Sequence, residues 1–179
     1  MNLPNILTIV RLFLTCVFIF FLYQRSQLLH ILAVIVFIVA AWTDFWDGKL
    51  ARKYNLETTF GKIMDPIADK FLVLSAFFIF ADLKIISFWM FVVIAVREIF
   101  VTAVRFYAMA NGRVLAAEKA GKWKTTAQMV AVGIVLFSIA GFFPLIGVRT
   151  INFTMFLVIA LTVYSGASFL WNNRRAFCV

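Results

Sequence analysis

The chain has 179 residues, of which 64% are hydrophobic and 14% are charged, whereas soluble domains carry roughly 25% charged residues. At ~20 apolar residues per span, this length accommodates about six transmembrane helices and leaves no room for a separate soluble domain. The formal net charge of +9 is therefore expected to face anionic membrane lipids on the cytoplasmic side, and not nucleic acid.

Apolar runs separated by short polar turns predict six helices in chain order. We expect an all-α, polytopic membrane protein with six transmembrane helices, forming a single domain over residues 1–179. A short N-terminal interfacial segment precedes them, since Pro4 suits a first helical turn. This segment covers about residues 1–11, and the first helix ends near 23. The next three helices are predicted at about 29–53, 59–81 and 86–110. A polar loop follows at 111–124, then a fifth helix that ends near 141 and a sixth at about 149–171.

The predicted length of helix 2 indicates where its two aspartates lie relative to the membrane. Helix 2 is about 37 Å long at 1.5 Å per residue, longer than a ~30 Å hydrocarbon core, so its C-terminal end is expected to reach the cytoplasm. Asp44 and Asp47 then lie near the inner interface.

In helix 3, Pro66 leaves one carbonyl without its amide partner, which predicts either a kink or a helix that begins late.

Basic residues are distributed unevenly between the two predicted sides of the membrane. Only Arg25, Lys84 and Arg149 fall on one side, while Lys70 and Arg97 fall within spans. The positive-inside rule therefore predicts that both termini and the acidic segment face the cytoplasm, in a cytoplasmic (inner) membrane. The twelve basic residues on that side are Arg11, Lys49, Arg52, Lys53, Lys62, Arg105, Arg113, Lys119, Lys122, Lys124, Arg174 and Arg175.

Five of the eight acidic residues lie within the 26 positions from 44 to 69. Asp44 and Asp47 are i, i+3 and Asp65 and Asp69 are i, i+4, so each pair shares one helix face. Two like charges about 4 Å apart repel by roughly 4 kcal/mol at an effective dielectric of 20, so four carboxylates need bound cations or protonation. Carboxylate oxygens favour Mg²⁺, Mn²⁺ or Ca²⁺. Two such ions form the usual clamp for displacement at phosphorus.

Residues that lie between these aspartates in the sequence are of types that can bind a phosphate ligand. Gly48 and Gly61 remove side chains where a ligand or a backbone must approach closely, and Arg52 offers a diphosphate-binding fork. The lone His30 has no nucleophile near it in sequence, so a general base must be a carboxylate, Lys or Tyr. The alternative is that the acids only balance nearby Lys and Arg at helix ends.

Residues 44–69 follow the pattern D-x2-D-G-x2-A-R-x8-G-x3-D-x3-D, and this segment resembles the signature of the CDP-alcohol phosphotransferase family. The resemblance implies two bound divalent cations, Mg²⁺ or Mn²⁺, and cleavage of a CDP-linked donor with release of CMP. It also implies that Asp69 is both a metal ligand and the catalytic general base. The implied metal ligands are Asp44, Asp47, Asp65 and Asp69, and the implied CDP-binding residues are Asp44, Gly48, Ala51, Arg52 and Gly61.

Four further segments resemble the branch of this family that transfers a phosphatidyl group from CDP-diacylglycerol to glycerol 3-phosphate. They lie at residues 4–11, 65–70, 97–105 and 121–128. We therefore expect a cationic pocket for the acceptor phosphate on the aspartate side, together with membrane lipids as partners and a homodimer. The candidate phosphate-binding residues are Arg105, Arg113, Lys119, Lys122 and Lys124.

Helix 4 also carries Arg97 and Glu98. Because these residues are adjacent, we expect their side chains to point in different directions and not to be simply a pair with each other. Arg97 is expected either to pair with an acid or to line the cavity and contact substrate, since an arginine in a span is rarely exposed to lipid.

Three alternative functions remain compatible with the sequence. One is the same reaction with inositol phosphate, serine or phosphatidylglycerol as acceptor. A second is a membrane prenyltransferase, whose Asp-rich motifs usually come in two separated sets in a longer chain, and the segment Gly48–Arg52 argues against it. A third is a cation transporter, which CMP release from CDP-diacylglycerol would exclude.

Overall fold

A computed structural model describes residues 3–54, 59–111, 119–142 and 147–177, with side chains described over 8–43, 67–68, 70–111, 121–142 and 147–174. The described residues form six α-helices and no β-strand, which confirms the all-α prediction. The helices are α1 (Leu3–Leu22), α2 (Gln27–Tyr54), α3 (Thr59–Asp82), α4 (Phe88–Ala110), α5 (Lys119–Ile139) and α6 (Val148–Phe177).

The helices differ from the predicted bounds mainly at the start of α1, at the start of α5 and at the end of α6, which extends to Phe177 beyond the predicted end at 171. Helix α1 is continuous from Leu3, so the predicted interfacial segment is not separate from the first helix; Pro4 lies in a first turn, where its missing N–H costs nothing. Helix α5 begins at Lys119, inside the predicted polar loop, because Lys and Ala are good helix formers even where they are polar or small. Helix α3 begins at Thr59, so Pro66 lies inside it and the late start is wrong.

Side-chain hydrogen bonds join the ends of helices that are not consecutive in the chain. Tyr23 donates to Asp82 Oδ2 over 3.0 Å, and Gln27 Nε2 donates to the carbonyl of Ala140 over 3.3 Å. Partial burial and the Asp82 carboxylate raise the pKa of Tyr23, so the phenol remains the donor. The turn between α1 and α2 and the turn between α3 and α4 lie at one end of the bundle, which we call the opposite end. The other, which we call the aspartate end, holds the C-terminal part of α2 and the N-terminal part of α3.

Large apolar side chains from several helices form the interior. Phe18 of α1, Phe77 and Phe80 of α3, Ile94 of α4 and Met155 of α6 are fully buried. Helix α1 packs on α2 and α3, α4 packs on α3 and α6, and α5 packs on α6, α2 and α3. This packing fixes the two aspartate-bearing helices against the rest of the bundle.

The outer surface is apolar as well. Phe13, Val96 and Phe153 are 67%, 61% and 71% exposed, and monomeric soluble proteins rarely expose broad apolar surfaces of this kind. Over the described residues, Val148–Arg174 is the one helix long and apolar enough to cross a membrane, while Thr8–Leu22 and Gln27–Thr43 are shorter apolar stretches. The number of spans therefore stays a prediction.

Candidate active site

The four aspartates of the signature lie in two continuous helices. Asp44 and Asp47 are within α2, and Asp65 and Asp69 are within α3. The helical backbone therefore places each pair on one helix face, as the spacing predicted. The roles of these residues stay predictions, because their side chains lie outside the described residues. The same holds for Gly48, Ala51, Arg52 and Gly61.

The chemistry of this residue set fits hard divalent cations. Helices α2 and α3 contact each other, and the four candidate ligands are all carboxylates, which Mg²⁺ and Mn²⁺ accept readily. Among the side chains that the structure describes, no group of three or more His, Cys, Asp or Glu residues could hold a metal ion. The part of the molecule with described side chains thus offers no competing metal site.

A buried charge cluster lies beside the α3 aspartates and consists of Lys70, Arg97, Glu98, Lys124 and Gln128. Glu98 is only 4% exposed. Its Oε1 accepts from the Lys124 ammonium, from Gln128 Nε2 over 3.4 Å and from Arg97 Nη1 over 3.4 Å. The Lys70 ammonium lies 3.6 Å from Oε2. One carboxylate therefore joins cations from α3, α4 and α5.

Arg97 and Glu98 do contact each other, but as part of a larger cluster and not simply as a pair. The arginine side chain is long enough to bend back toward its neighbour, and its Nη2 also donates to Ser165 Oγ of α6 over 2.7 Å. The Arg97 side chain also lies close to Gly166 of α6, where a Cβ would be in ordinary van der Waals contact with Arg97 Cγ at 3.4 Å. Arg97 therefore connects α4 to α6 as well as to Glu98.

A polar face of α1 lies at the aspartate end. Thr8, Arg11 and Thr15 are at most 1% exposed, and Thr15 Oγ1 donates to the Arg11 carbonyl over 2.8 Å. Arg11 is eight residues from the start of α1 and Asp47 is seven from the end of α2, or about 12 Å and about 10 Å along the helix axes. A buried arginine therefore lies in the half of α1 that is at the aspartate end, on a helix that packs on both aspartate-bearing helices.

The candidate residues for the acceptor phosphate fall in different environments. Lys124 is buried and paired with Glu98, whereas Lys122 and Arg105 are exposed. The Arg105 guanidinium lies 6.0 Å from the centre of the Phe169 ring. The side chains of Arg113 and Lys119 lie outside the described residues. The described positions 105, 122 and 124 belong to the aspartate end, but a shared pocket stays a prediction.

Comparison with known proteins decides the family. A family model described as CDP-alcohol phosphatidyltransferase matches residues 1–170. The chain belongs to this family. Its members are membrane-associated enzymes that generally depend on divalent metal ions.

Several relatives are similar over most of the chain. A CDP-diacylglycerol–glycerol-3-phosphate 3-phosphatidyltransferase of Bacillus subtilis (strain 168) is 35% identical, over 98% of this chain and 96% of the relative. A protein of the same name from Cereibacter sphaeroides is 42% identical, over 74% of this chain and 62% of the relative. A probable phosphatidylglycerophosphate synthase of Mycobacterium tuberculosis (strain ATCC 25618 / H37Rv) is 36% identical, over 97% of this chain and 82% of the relative.

Sequence reasoning missed Glu98 as the centre of the buried cluster in this family member. A signal was present, because an ionisable residue inside an apolar helix is a functional hypothesis by default. What the sequence did not reveal was its partners, since Lys124 and Gln128 lie 26 and 30 residues away on another helix.

Proposed function

We propose that this protein transfers the phosphatidyl group of CDP-diacylglycerol to glycerol 3-phosphate, giving phosphatidylglycerophosphate and CMP. The observation that carries the proposal is the similarity, over nearly the whole chain, to a relative named for this reaction. The aspartate signature at residues 44–69 supports the same reaction class. In the reaction, an acceptor hydroxyl oxygen bonds to the phosphorus that carries diacylglycerol, and the bond from that phosphorus to the CMP oxygen breaks.

In this proposal, each residue of the signature has a defined role in the reaction. Asp44, Asp47, Asp65 and Asp69 hold two divalent cations, Mg²⁺ or Mn²⁺, which when bound neutralise charge on the diphosphate. Asp69 also takes the proton of the acceptor hydroxyl, since a positioned carboxylate can act as a general base. Arg52 binds the diphosphate as a two-pronged donor. Gly48, Ala51 and Gly61 leave space for the cytidine part.

The acceptor is the first point to test. Purified protein with CDP-diacylglycerol should release CMP far faster with glycerol 3-phosphate than with glycerol, serine or inositol, because a dianionic phosphate can bind several Arg or Lys side chains through charge-assisted hydrogen bonds. CMP release is measured with each of these alcohols and also with inositol phosphate and phosphatidylglycerol. A preference for inositol phosphate, serine or phosphatidylglycerol would assign another acceptor within the same reaction class. CMP release with any of them excludes a transporter.

Arg105→Ala tests the proposed acceptor pocket. A charge-assisted hydrogen bond contributes on the order of 1.5–3 kcal/mol, so the KM for glycerol 3-phosphate should rise roughly ten- to a hundredfold while the KM for CDP-diacylglycerol changes little. Arg174→Ala is the matched control, because Arg174 is also exposed at the aspartate end and lies 4.3 Å from the Trp171 ring. Equal effects of the two substitutions would show only a general charge effect, and the acceptor phosphate would then bind elsewhere.

We also propose that all six helices cross a cytoplasmic (inner) membrane with the aspartate end in the cytoplasm, as one domain that forms a homodimer. Exposed Trp and Tyr side chains support this placement, since these residues are enriched at membrane interfaces. They lie toward the aspartate end of four different helices and are between 62% and 71% exposed. They are Trp42, Tyr107, Trp123 and Trp171.

Cysteine labelling tests the orientation. In a variant without Cys16 and Cys178, single cysteines at Lys53 and Arg113 should resist an impermeant thiol reagent in intact cells, whereas a cysteine at Lys84 should react. Lys84 lies in the exposed turn between α3 and α4, at the opposite end of the bundle. Permeabilised cells, in which all three should react, are the control. The reverse pattern in intact cells would place the aspartates outside the cytoplasm.

A further inference from the structure

The buried charge cluster links four helices through one carboxylate. Lys70 belongs to α3, Arg97 and Glu98 to α4, and Lys124 to α5, while Arg97 also reaches Ser165 of α6. The three cations thus meet at a point where they would repel one another without Glu98. The positions of Arg97 and Lys124 therefore depend in part on that carboxylate.

Glu98 is poorly suited to react with substrate itself. Its Oε1 already faces donors on Arg97, Lys124 and Gln128, and its Oε2 faces the Lys70 ammonium. A carboxylate bound to this many donors is held in one orientation. It acts on the cations around it and not as the base.

Two of these cations share a single negative charge. Within the part of the chain that the structure describes, Glu98 is the carboxylate within ion-pair distance of both Arg97 and Lys124. Arg97 Nε is also buried without a hydrogen-bond partner there. Buried charge without compensation is costly, so binding of an anion at this point is favourable. The phosphate of the acceptor alcohol is the anion that the proposed reaction supplies.

The cluster lies close to the proposed chemistry. Lys70 directly follows Asp69 in α3, and its ammonium contacts the Glu98 carbonyl over 3.4 Å and the Thr102 hydroxyl. Lys124 lies in the second turn of α5, at the aspartate end. A small phosphorylated alcohol bound here is next to the helical segment that carries the proposed base.

We propose that Glu98 is a positioning residue for the acceptor, whose carboxylate holds the Lys124 ammonium and the Arg97 guanidinium in place to bind the acceptor phosphate. This inference rests on the proposed function and deepens it. It adds Arg97 to the acceptor site and gives Lys124 a defined partner there.

Glu98→Gln and Glu98→Asp test this role. Gln keeps the shape of the side chain but not its charge, so Lys124 and Arg97 repel each other and move apart, and the KM for glycerol 3-phosphate should rise about tenfold or more. Asp keeps the charge but is one methylene shorter, so the rise should be smaller. In both variants, kcat at saturating acceptor and the KM for CDP-diacylglycerol should stay within about twofold of the wild-type values.

Three other results would contradict the inference. A lower KM for glycerol 3-phosphate in Glu98→Gln would mean that the Glu98 carboxylate competes with the acceptor phosphate for Lys124 and Arg97. Equal losses for both substrates together with a lower melting temperature would mean a purely structural role. An unchanged KM would mean that the phosphate binds elsewhere. Asp82→Asn is the matched control, because it makes the same acid-to-amide change at the opposite end of the bundle and should leave both KM values unchanged.

Calorimetry separates this inference from the proposed function. Binding of inorganic phosphate to the purified protein, without CDP-diacylglycerol, does not depend on which alcohol is the acceptor. Wild type should bind phosphate, and Glu98→Gln should bind it at least about tenfold more weakly. If the alcohol panel selects another acceptor but this difference persists, the proposed function fails and the role of Glu98 stands. If wild type does not bind phosphate, the role of Glu98 is wrong whatever the acceptor.

Discussion

Asp69→Asn is expected to lower kcat by roughly 10²- to 10⁴-fold at saturating substrates and metal ion, the range expected for the loss of a general base. Asn keeps the size of the side chain and one oxygen that can bind a metal ion, but it cannot accept the hydroxyl proton near neutral pH. Donor affinity should therefore survive. The measurement is CMP release under saturating conditions, together with binding of CDP-diacylglycerol to the same preparation.

A ligand-only role for Asp69 has to be distinguished from a role as base. Asp65→Asn is the matched comparison, since it removes a carboxylate one turn earlier on the same face of α3. Excess Mg²⁺ or Mn²⁺ should restore part of the activity of Asp65→Asn and none of the kcat of Asp69→Asn. If excess metal ion restores both variants equally, Asp69 is only a ligand and another group takes the proton.

The helices could be predicted because they depend on local properties of the chain. Apolar runs end at polar residues such as Gln27 and Asp82, and both residues mark helix ends in the structure. The errors arose where polar residues lie inside a helix. Its charge predicts a loop at Lys119, yet a long basic side chain at the first turn of an interfacial helix can reach water.

The aspartate pairs could be recognised for the same reason, since their spacing within one helix decides which face they share. The buried charge cluster could not, because its contacts join residues that are distant in sequence. Lys124 was grouped with the basic residues of the cytoplasmic side, but it is only 4% exposed and bound to Glu98. A count of charges by predicted side cannot tell a lysine that faces water from one that pairs inside the bundle.

Metal removal is expected to abolish activity and also to lower stability. In the proposed metal site, carboxylates about 4 Å apart would repel by roughly 4 kcal/mol per pair at an effective dielectric of 20, so we expect the four aspartates to destabilise the fold when no cation lies among them. A ligand at a hundred times its Kd stabilises the folded state by about 2.7 kcal/mol. At 2–4 °C per kcal/mol for a chain of this size, chelation should lower the melting temperature by roughly 5–10 °C.

Asp47→Ala should separate these two effects. With one ligand missing, turnover should fall by about 10³-fold or more, because a bound metal ion supplies several kcal/mol of charge stabilisation in the transition state. The apo form of this variant, however, contains one fewer repelling carboxylate, so chelation should lower its melting temperature less than that of wild type. Activity in excess chelator, or an equal thermal shift in both proteins, would show that these aspartates do not hold the ions. A smaller shift with lost turnover is the result that a shared carboxylate–metal site requires.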